Sequence, residues 1–363
     1  MENIIVAEGL RKEYDGFALE DVSFRVPGGA IMGLIGENGA GKTTTIKCLL
    51  NLVRRDAGTV TLLGMDDLEG EKEIKQDVGV VLDECFFHDS LRAKDVGVIL
   101  APVYRGWDEE LYRRYLKKYK LPEKKFIKEY SRGMKMKLAL AAALAHRPRL
   151  LILDEATAGL DPVVRDEILD EFQGFIEDEE HAILISSHIT SDLEKIADYI
   201  TYIHQGRVVL SDSKDAILEH YAKLGCTQAQ LRDIQPGDLV RVRKGSFGCE
   251  ALVRDRAAFA RKYPGLMLDR VTLEDIMNFE HIEQLNQVVG MTGLMMKDAL
   301  VMWKTLRLYA LFLLFYSGLA VLGVFPMSMA LAMVEVIVMV LPISSFSYDE
   351  AAKWDRYAAV LPV

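Results

Sequence analysis

Cysteine is scarce. Cys48, Cys85, Cys226 and Cys249 are the only ones in 363 residues, and no two form a C-x-x-C pair. This excludes a thiolate zinc module and a disulfide scaffold, and it suits a reducing compartment. The start, Met1-Glu2-Asn3-Ile4, lacks a basic stretch followed by an apolar one, so no secretory signal is expected there. Positive charge is also in deficit. With 44 Lys and Arg against 54 Asp and Glu, the net charge is −10, which argues against a dedicated nucleic-acid binder. No N-K-x-D tetrad occurs, so guanine recognition is excluded. Charge itself thins out after Arg307, and residues 308–325 carry none.

What is present points to about two domains by length, with half the residues hydrophobic and ample for a core. Short β-type runs open the chain: Ile4-Ile5-Val6, Val22 to Val26, Ile31 to Ile35, and an alternating run from Thr59 to Leu63. Continuous apolar runs follow at Val78 to Leu82, Leu150 to Leu153 and Ala182 to Ser186, as in strands covered on both faces. Helical patterns separate them, including Asp108 to Tyr119 and the Ala-, Leu- and Lys-rich Met134 to Ala145. The fold class is therefore α/β, a parallel-sheet core with an antiparallel β subdomain and a helical subdomain. From about Ser211 the pattern changes. The turn Ile234-Gln235-Pro236-Gly237-Asp238 precedes a strand-like Leu239 to Val242, which reads as a small α+β appendage.

Gly36-Glu37-Asn38-Gly39-Ala40-Gly41-Lys42-Thr43 fits G-x-x-x-x-G-K-[ST], with an apolar strand before it and a helix-compatible Thr44 to Leu52 after it. Gly36, Gly39 and Gly41 let backbone N–H groups, including that of Asn38, converge on phosphate oxygens, and the helix start adds a positive dipole end. Lys42 is expected to reach the terminal phosphates. The Thr43 hydroxyl is expected on Mg²⁺, with Thr44 beside it. The apolar strand Leu150 to Leu153 ends in Asp154-Glu155. A Mg·ATP site needs such an acid at a strand tip to hold the metal, the role expected of Asp154. Glu155 can orient or deprotonate the attacking water.

With these residues in place, the chain resembles the ATPase subunits of ABC transporters over residues 1–207. Ala156-Thr157-Ala158-Gly159-Leu160-Asp161-Pro162 matches the family's D-loop, where Asp161 would communicate across a dimer interface. Ile185-Ser186-Ser187-His188 matches its switch histidine, and His188 would contact the γ-phosphate. Tyr14 stands where the family stacks an aromatic on adenine, with Phe17 the near alternative. Two matches are imperfect. The signature, L-S-G-G-Q in the family, falls at Tyr130-Ser131-Arg132-Gly133-Met134, which keeps Ser131 and Gly133 and puts Arg132 in place of a glycine. The Q-loop glutamine is replaced by Asp83, a carboxylate able to ligate Mg²⁺ but unable to donate a hydrogen bond when ionised. The resemblance implies two ATPase domains facing head to tail, as homodimer or heterodimer. Each ATP then lies between one phosphate loop and the partner's signature.

The C-terminal part has a different character. Residues 308–325 meet the lower bound for a transmembrane helix, preceded by Lys297, Lys304 and Arg307 and by Trp303. Basic flanks favour a cytoplasmic start, and with it an ATPase facing the cytoplasm at the cell (inner or plasma) membrane. Pro326 ends the run, and a second, residues 327–343, is interrupted by Glu335, which should face protein. An all-α transmembrane hairpin is expected. From Met291 onward, Ser344-Ser345-Phe346-Ser347-Tyr348-Asp349-Glu350 and Lys353-Trp354-Asp355-Arg356-Tyr357 resemble the start of an ABC-2 type permease. Such permeases have about six spans. Two spans, with Met291 in the place of a start residue, therefore suggest a fusion of adjacent reading frames or a shortened fusion. The expected domains are an ATPase at 1–210, an accessory region at 211–290 and a partial permease at 291–363. The expected function is ATP hydrolysis powering export through an ABC-2 type permease, with ATP and Mg²⁺ bound and no nucleic acid. The alternatives are a regulatory, non-catalytic subunit and a soluble ABC ATPase.

Overall fold

The computed structural model describes residues 2–66, 71–83, 85–245 and 248–278. Strands β1 (Asn3–Tyr14), β2 (Phe17–Pro27), β4 (Ala57–Leu62) and β5 (Met65–Asp66) form an antiparallel sheet in the order β2-β1-β4-β5. Strand β3 (Ala30–Ile35) leaves this sheet and enters the second one, and α1 (Lys42–Leu49) starts directly after the Gly36–Gly41 loop. A short α2 (Glu71–Ile74) precedes β6 (Val78–Val81). Then come the helices α3 (Ala93–Leu100), α4 (Glu109–Lys118) and α5 (Arg132–Leu144). Two of them start where a side-chain oxygen meets an orphan N–H: Asp108 accepts from Leu111 N and Ser131 from Met134 N.

The chain returns through β7 (Leu150–Asp154), α6 (Pro162–Phe175), β8 (Ala182–Ser187), α7 (Thr190–Ile196), β9 (Tyr199–His204) and β10 (Arg207–Ser213). The second sheet has the order β10-β9-β3-β8-β7-β6, all parallel pairs except the antiparallel β10-β9 hairpin. Every residue of β3, β7 and β8 is buried, the reason these strands read as unbroken apolar runs. The parallel register brings the carboxyl ends of β3, β7 and β8 together. Ile35 pairs with Ser187 and Asp154 with Ser186, so the phosphate loop, the two acids and the switch histidine leave the sheet side by side. One apolar core binds both sheets, with Leu10, Leu19, Leu34, Ile46, Ile152 and Leu184 all buried in it.

Strand β10 runs on to Ser213, whose side chain then caps α8 (Lys214–His220). The accessory elements follow as β11 (Ala222–Cys226), α9 (Gln228–Arg232), β12 (Arg241–Gly245), β13 (Gly248–Val253), α10 (Arg256–Lys262) and β14 (Leu268–Asp269). They form an antiparallel sheet, β12-β13-β11-β14, over its own small core of Leu224, Ala251, Val253 and Phe259. The strand expected from Leu239 begins two residues later, because a tight turn at Pro236–Asp238 closes on Leu239 N → Pro236 O at 3.3 Å. Residues 1–277 form one compact unit. No helix among the described residues is long and apolar enough to cross a membrane. The hairpin expected over 308–325 and 327–343 lies outside the described residues.

Candidate nucleotide site

The loop before α1 is shaped by collisions that only glycine avoids. A Cβ on Gly36 would stand 2.4 Å from Ile203 O, and one on Gly41, at φ +114°, would stand 2.6 Å from Leu19 Cδ2. The ring of Phe17 backs the same glycine, its Cζ 3.1 Å from that Cβ position. Gly39 has φ +85° and open space around it. Asn38 and Gly39 form the exposed tip, while Lys42 is 5 % exposed beneath them. The loop is pinned from below: Gly206 N donates to Ala40 O at 2.8 Å, and His204 Nδ1 lies 3.0 Å from Glu37 Oε1. The Lys42 amine donates to Gly36 O at 2.7 Å and Glu37 O at 3.1 Å. Its ammonium also stands 3.3 Å from Glu155 Oε1. The Thr45 hydroxyl donates to Gly41 O at 2.9 Å, which ties the first helical turn to the loop. That of Thr43 is exposed and makes no hydrogen bond among the described residues.

At the tip of β7, Asp154 is 1 % exposed and accepts from Ser186 Oγ at 2.5 Å. The same Ser186 Oγ accepts from Glu155 N at 3.0 Å, so one hydroxyl orients both acids. Glu155 has a left-handed backbone, φ +51°, which turns the chain sharply off the strand. Its carboxylate lies between two side chains: Oε1 faces Lys42 and Oε2 meets His188 Nδ1 at 2.7 Å. The three elements predicted from separate motifs thus converge on a single carboxylate. The donor set suits Mg²⁺: a buried carboxylate at Asp154, a hydroxyl left free at Thr43, and hard oxygens only.

Other predicted residues stand apart from this cluster. Tyr14 ends β1 and is 43 % exposed, with Lys12 Nζ 5.4 Å from its ring centre. Asp83 makes no hydrogen bond to Thr43 or Asp154 among the described residues. It lines a cleft of about 600 Å³ with Cys85, Tyr130, Arg132 and Lys135. Ser131 caps α5 and Asp161 caps α6, where its carboxylate accepts from Val164 N at 3.0 Å. Sequence reading did not single out Ser186, His204 or Arg165 for roles at the site. Arg165 reaches back to Leu160 O at 3.4 Å and forward to the buried Asp192, 3.7 Å away on α7. Except for Arg165 to Leu160, these contacts join residues far apart in the chain, and no spacing rule announces them.

A phosphate loop at the end of a parallel strand, facing a strand-tip acid pair and a switch histidine, defines a P-loop nucleotide hydrolase. The comparisons narrow this. Residues 19–158 match the family described as ABC transporter, and residues 293–363 match ABC-2 family transporter protein. The bacitracin transport ATP-binding protein of Enterococcus faecalis is 37 % identical over 212 residues, 58 % of this chain and 69 % of that protein. The lantibiotic transport ATP-binding protein of Streptococcus pyogenes is 34 % identical over 211 residues, 57 % of this chain and 90 % of that protein. A solved ATP-binding subunit of an ABC transporter superposes with a TM-score of 0.55 at 28 % identity, covering 59 % of this chain and 91 % of that one. A second solved structure, an ATP-binding cassette in its ADP conformation, shares the fold at 20 % identity and a TM-score of 0.52. The chain belongs to the ABC transporter family and is an ATP-binding, ATP-hydrolysing subunit of a transporter.

Proposed function

We propose that Glu155 is the catalytic base of Mg·ATP hydrolysis and that Lys42 and His188 leave it for phosphate oxygens when ATP binds. The position of Glu155 carries this reading: its two carboxylate oxygens are engaged by the two side chains that need a γ-phosphate as partner. Once both turn to the phosphate, the carboxylate is free to accept a proton from water. Thr43 and Asp154, with Asp83 brought in from its cleft as a further ligand, would hold Mg²⁺, which would neutralise charge on the β- and γ-phosphates. Gly36, Asn38, Gly39, Gly41 and Thr44 cradle the phosphates, and Tyr14 stacks on the base. Two such domains, of residues 1–210, pair head to tail, so that Ser131, Gly133 and Asp161 of one complete the site of the other.

The work is delivered to a membrane permease of the ABC-2 type, as export. An apolar cleft of about 820 Å³, lined by Leu62, Val80, Phe86, Phe87, Leu100 and Val103, supports this partner. Phe86 is 72 % exposed and Val103 55 %, an apolar patch that water alone does not justify. A permease helix is its occupant. Residues 291–363, with spans near 308–325 and 327–343, anchor the chain in the membrane with the ATPase on the cytoplasmic side. Residues 211–290 form an accessory region. The test of the paired reading is the mass of the full-length Glu155→Gln chain in detergent, with and without Mg·ATP. An ATP-dependent doubling supports it, and an unchanged mass contradicts it.

A further inference from the structure

Arg132 occupies a place in the signature where the resembling family carries glycine, and its surroundings are unusual. It is the first residue of α5, where a cation opposes the helix dipole. No carboxylate pairs with it among the described residues, so neither helix stability nor an ion pair accounts for its charge there. Its guanidinium instead stands beside the D-loop. A Cβ placed on Gly159 would meet Arg132 Nη1 at 2.9 Å, Cζ at 3.2 Å and Nε at 3.5 Å. Gly159 also has φ +68°, which by itself strains any other residue there.

The contact heads a seam. Lys137 on α5 pairs with Glu167, and Lys118 on α4 pairs with Glu171, both on α6. Glu167 and Glu171 are one helical turn apart, so one face of α6 carries both ion pairs. The D-loop leads into α6, and Arg132 stands beside it at the start of α5. Gly133 adds only ordinary contact, a Cβ there standing 3.5 Å from Val164.

We infer that Arg132 is a positioning residue for ATP hydrolysis, latching the signature helix to the D-loop of the same protomer through the bare Cα of Gly159. Ser131 and Asp161, which the paired-domain reading sets against the partner's nucleotide, then advance as one surface. The inference rests on that reading. A planar guanidinium suits the role because it stacks on a flat backbone face, which a lysine ammonium does not.

The experiment is steady-state ATPase kinetics of the full chain in detergent, parent against Arg132→Gly, Arg132→Lys, Gly159→Ala and the double variant Arg132→Gly/Gly159→Ala. We expect kcat to fall roughly tenfold or more in each single variant, with KM changed less than about twofold. The double variant should show no loss beyond that of Gly159→Ala, which strains its positive φ as well as breaking the contact. The melting temperature of each variant separates this from misfolding. Unchanged kcat in Arg132→Gly overturns the inference. So does a raised KM with normal kcat, which would make Arg132 a phosphate ligand, or full turnover in Arg132→Lys, which would make charge alone sufficient. Additive losses overturn it as well. Failure of the Glu155→Gln chain to dimerise with ATP removes the paired reading and the inference together. A normal dimer with unaffected Arg132→Gly turnover removes only the inference.

Discussion

Ser186 offers the sharpest quantitative test of the site's geometry. Its hydroxyl donates to the buried Asp154 at 2.5 Å and accepts from Glu155 N at 3.0 Å. Ser186→Ala deletes both bonds and leaves little else changed, because the β8 backbone stays in register with β7. A hydrogen bond to a carboxylate is worth about 1.5–3 kcal/mol, and an acid left short of donors at 1 % exposure cannot recover it from water. Glu155 N keeps a second acceptor, Ser186 O at 3.2 Å, so that loss is mostly made good. The net cost is then about 2 kcal/mol, and for a unit of this size it lowers the melting temperature by about 4–8 °C. Turnover falls as well, since Asp154 loses the group that fixes its rotamer. The assay is thermal unfolding and Mg·ATP hydrolysis of parent and variant side by side. A melting temperature within about 1 °C of the parent, with turnover intact, would refute the claim that Ser186 orients the acids.

Further outcomes follow from other contacts. Gly41→Ala places a methyl 2.6 Å from Leu19 Cδ2 at φ +114°, so the loop must lift off Phe17 and Leu19. Overpacking of this kind costs about 1–3 kcal/mol, and ATP affinity should drop at least tenfold by fluorescent-nucleotide titration. His146 is buried and stacked on Tyr104 at 3.9 Å, and burial pushes its pKa below the usual 6.5. The unfolded chain therefore takes up a proton below about pH 6.5 that the folded chain refuses. Stability is full above that pH and declines below it by up to about 1.4 kcal/mol per unit, until the folded ring itself protonates. His146→Phe, measured by urea midpoints at several pH values, should remove this part of the slope. An unchanged slope would show that His146 is not its source.

The make-up of the candidate site was legible in the sequence because its parts are contiguous. Gly36 to Thr43, Asp154-Glu155 and His188 each declare themselves beside an apolar strand, and the parallel register then brings them together. What was not legible depends on pairs separated by long stretches of chain. Ser186 serves Asp154 across the sheet, Phe17 backs Gly41, His204 meets Glu37, and Arg132 covers Gly159. The β9-β10 hairpin, Tyr199–His204 with Arg207–Ser213, escaped notice although five of the six β9 residues are buried, because β10 alternates with one face exposed. Its second strand carries the sheet beyond residue 210, where composition alone suggested a boundary. The accessory sheet was foreseen as α+β, but its strand order needed the pairing of β11 with β13 and β14.

The most direct test of the account is Mg·ATP turnover of the full chain compared with Glu155→Gln, measured alongside nucleotide binding. The account predicts steady hydrolysis by the parent, at least about a hundredfold less by the variant, and ATP binding retained in both. Equal turnover in the two would contradict the placement of Glu155 as the base.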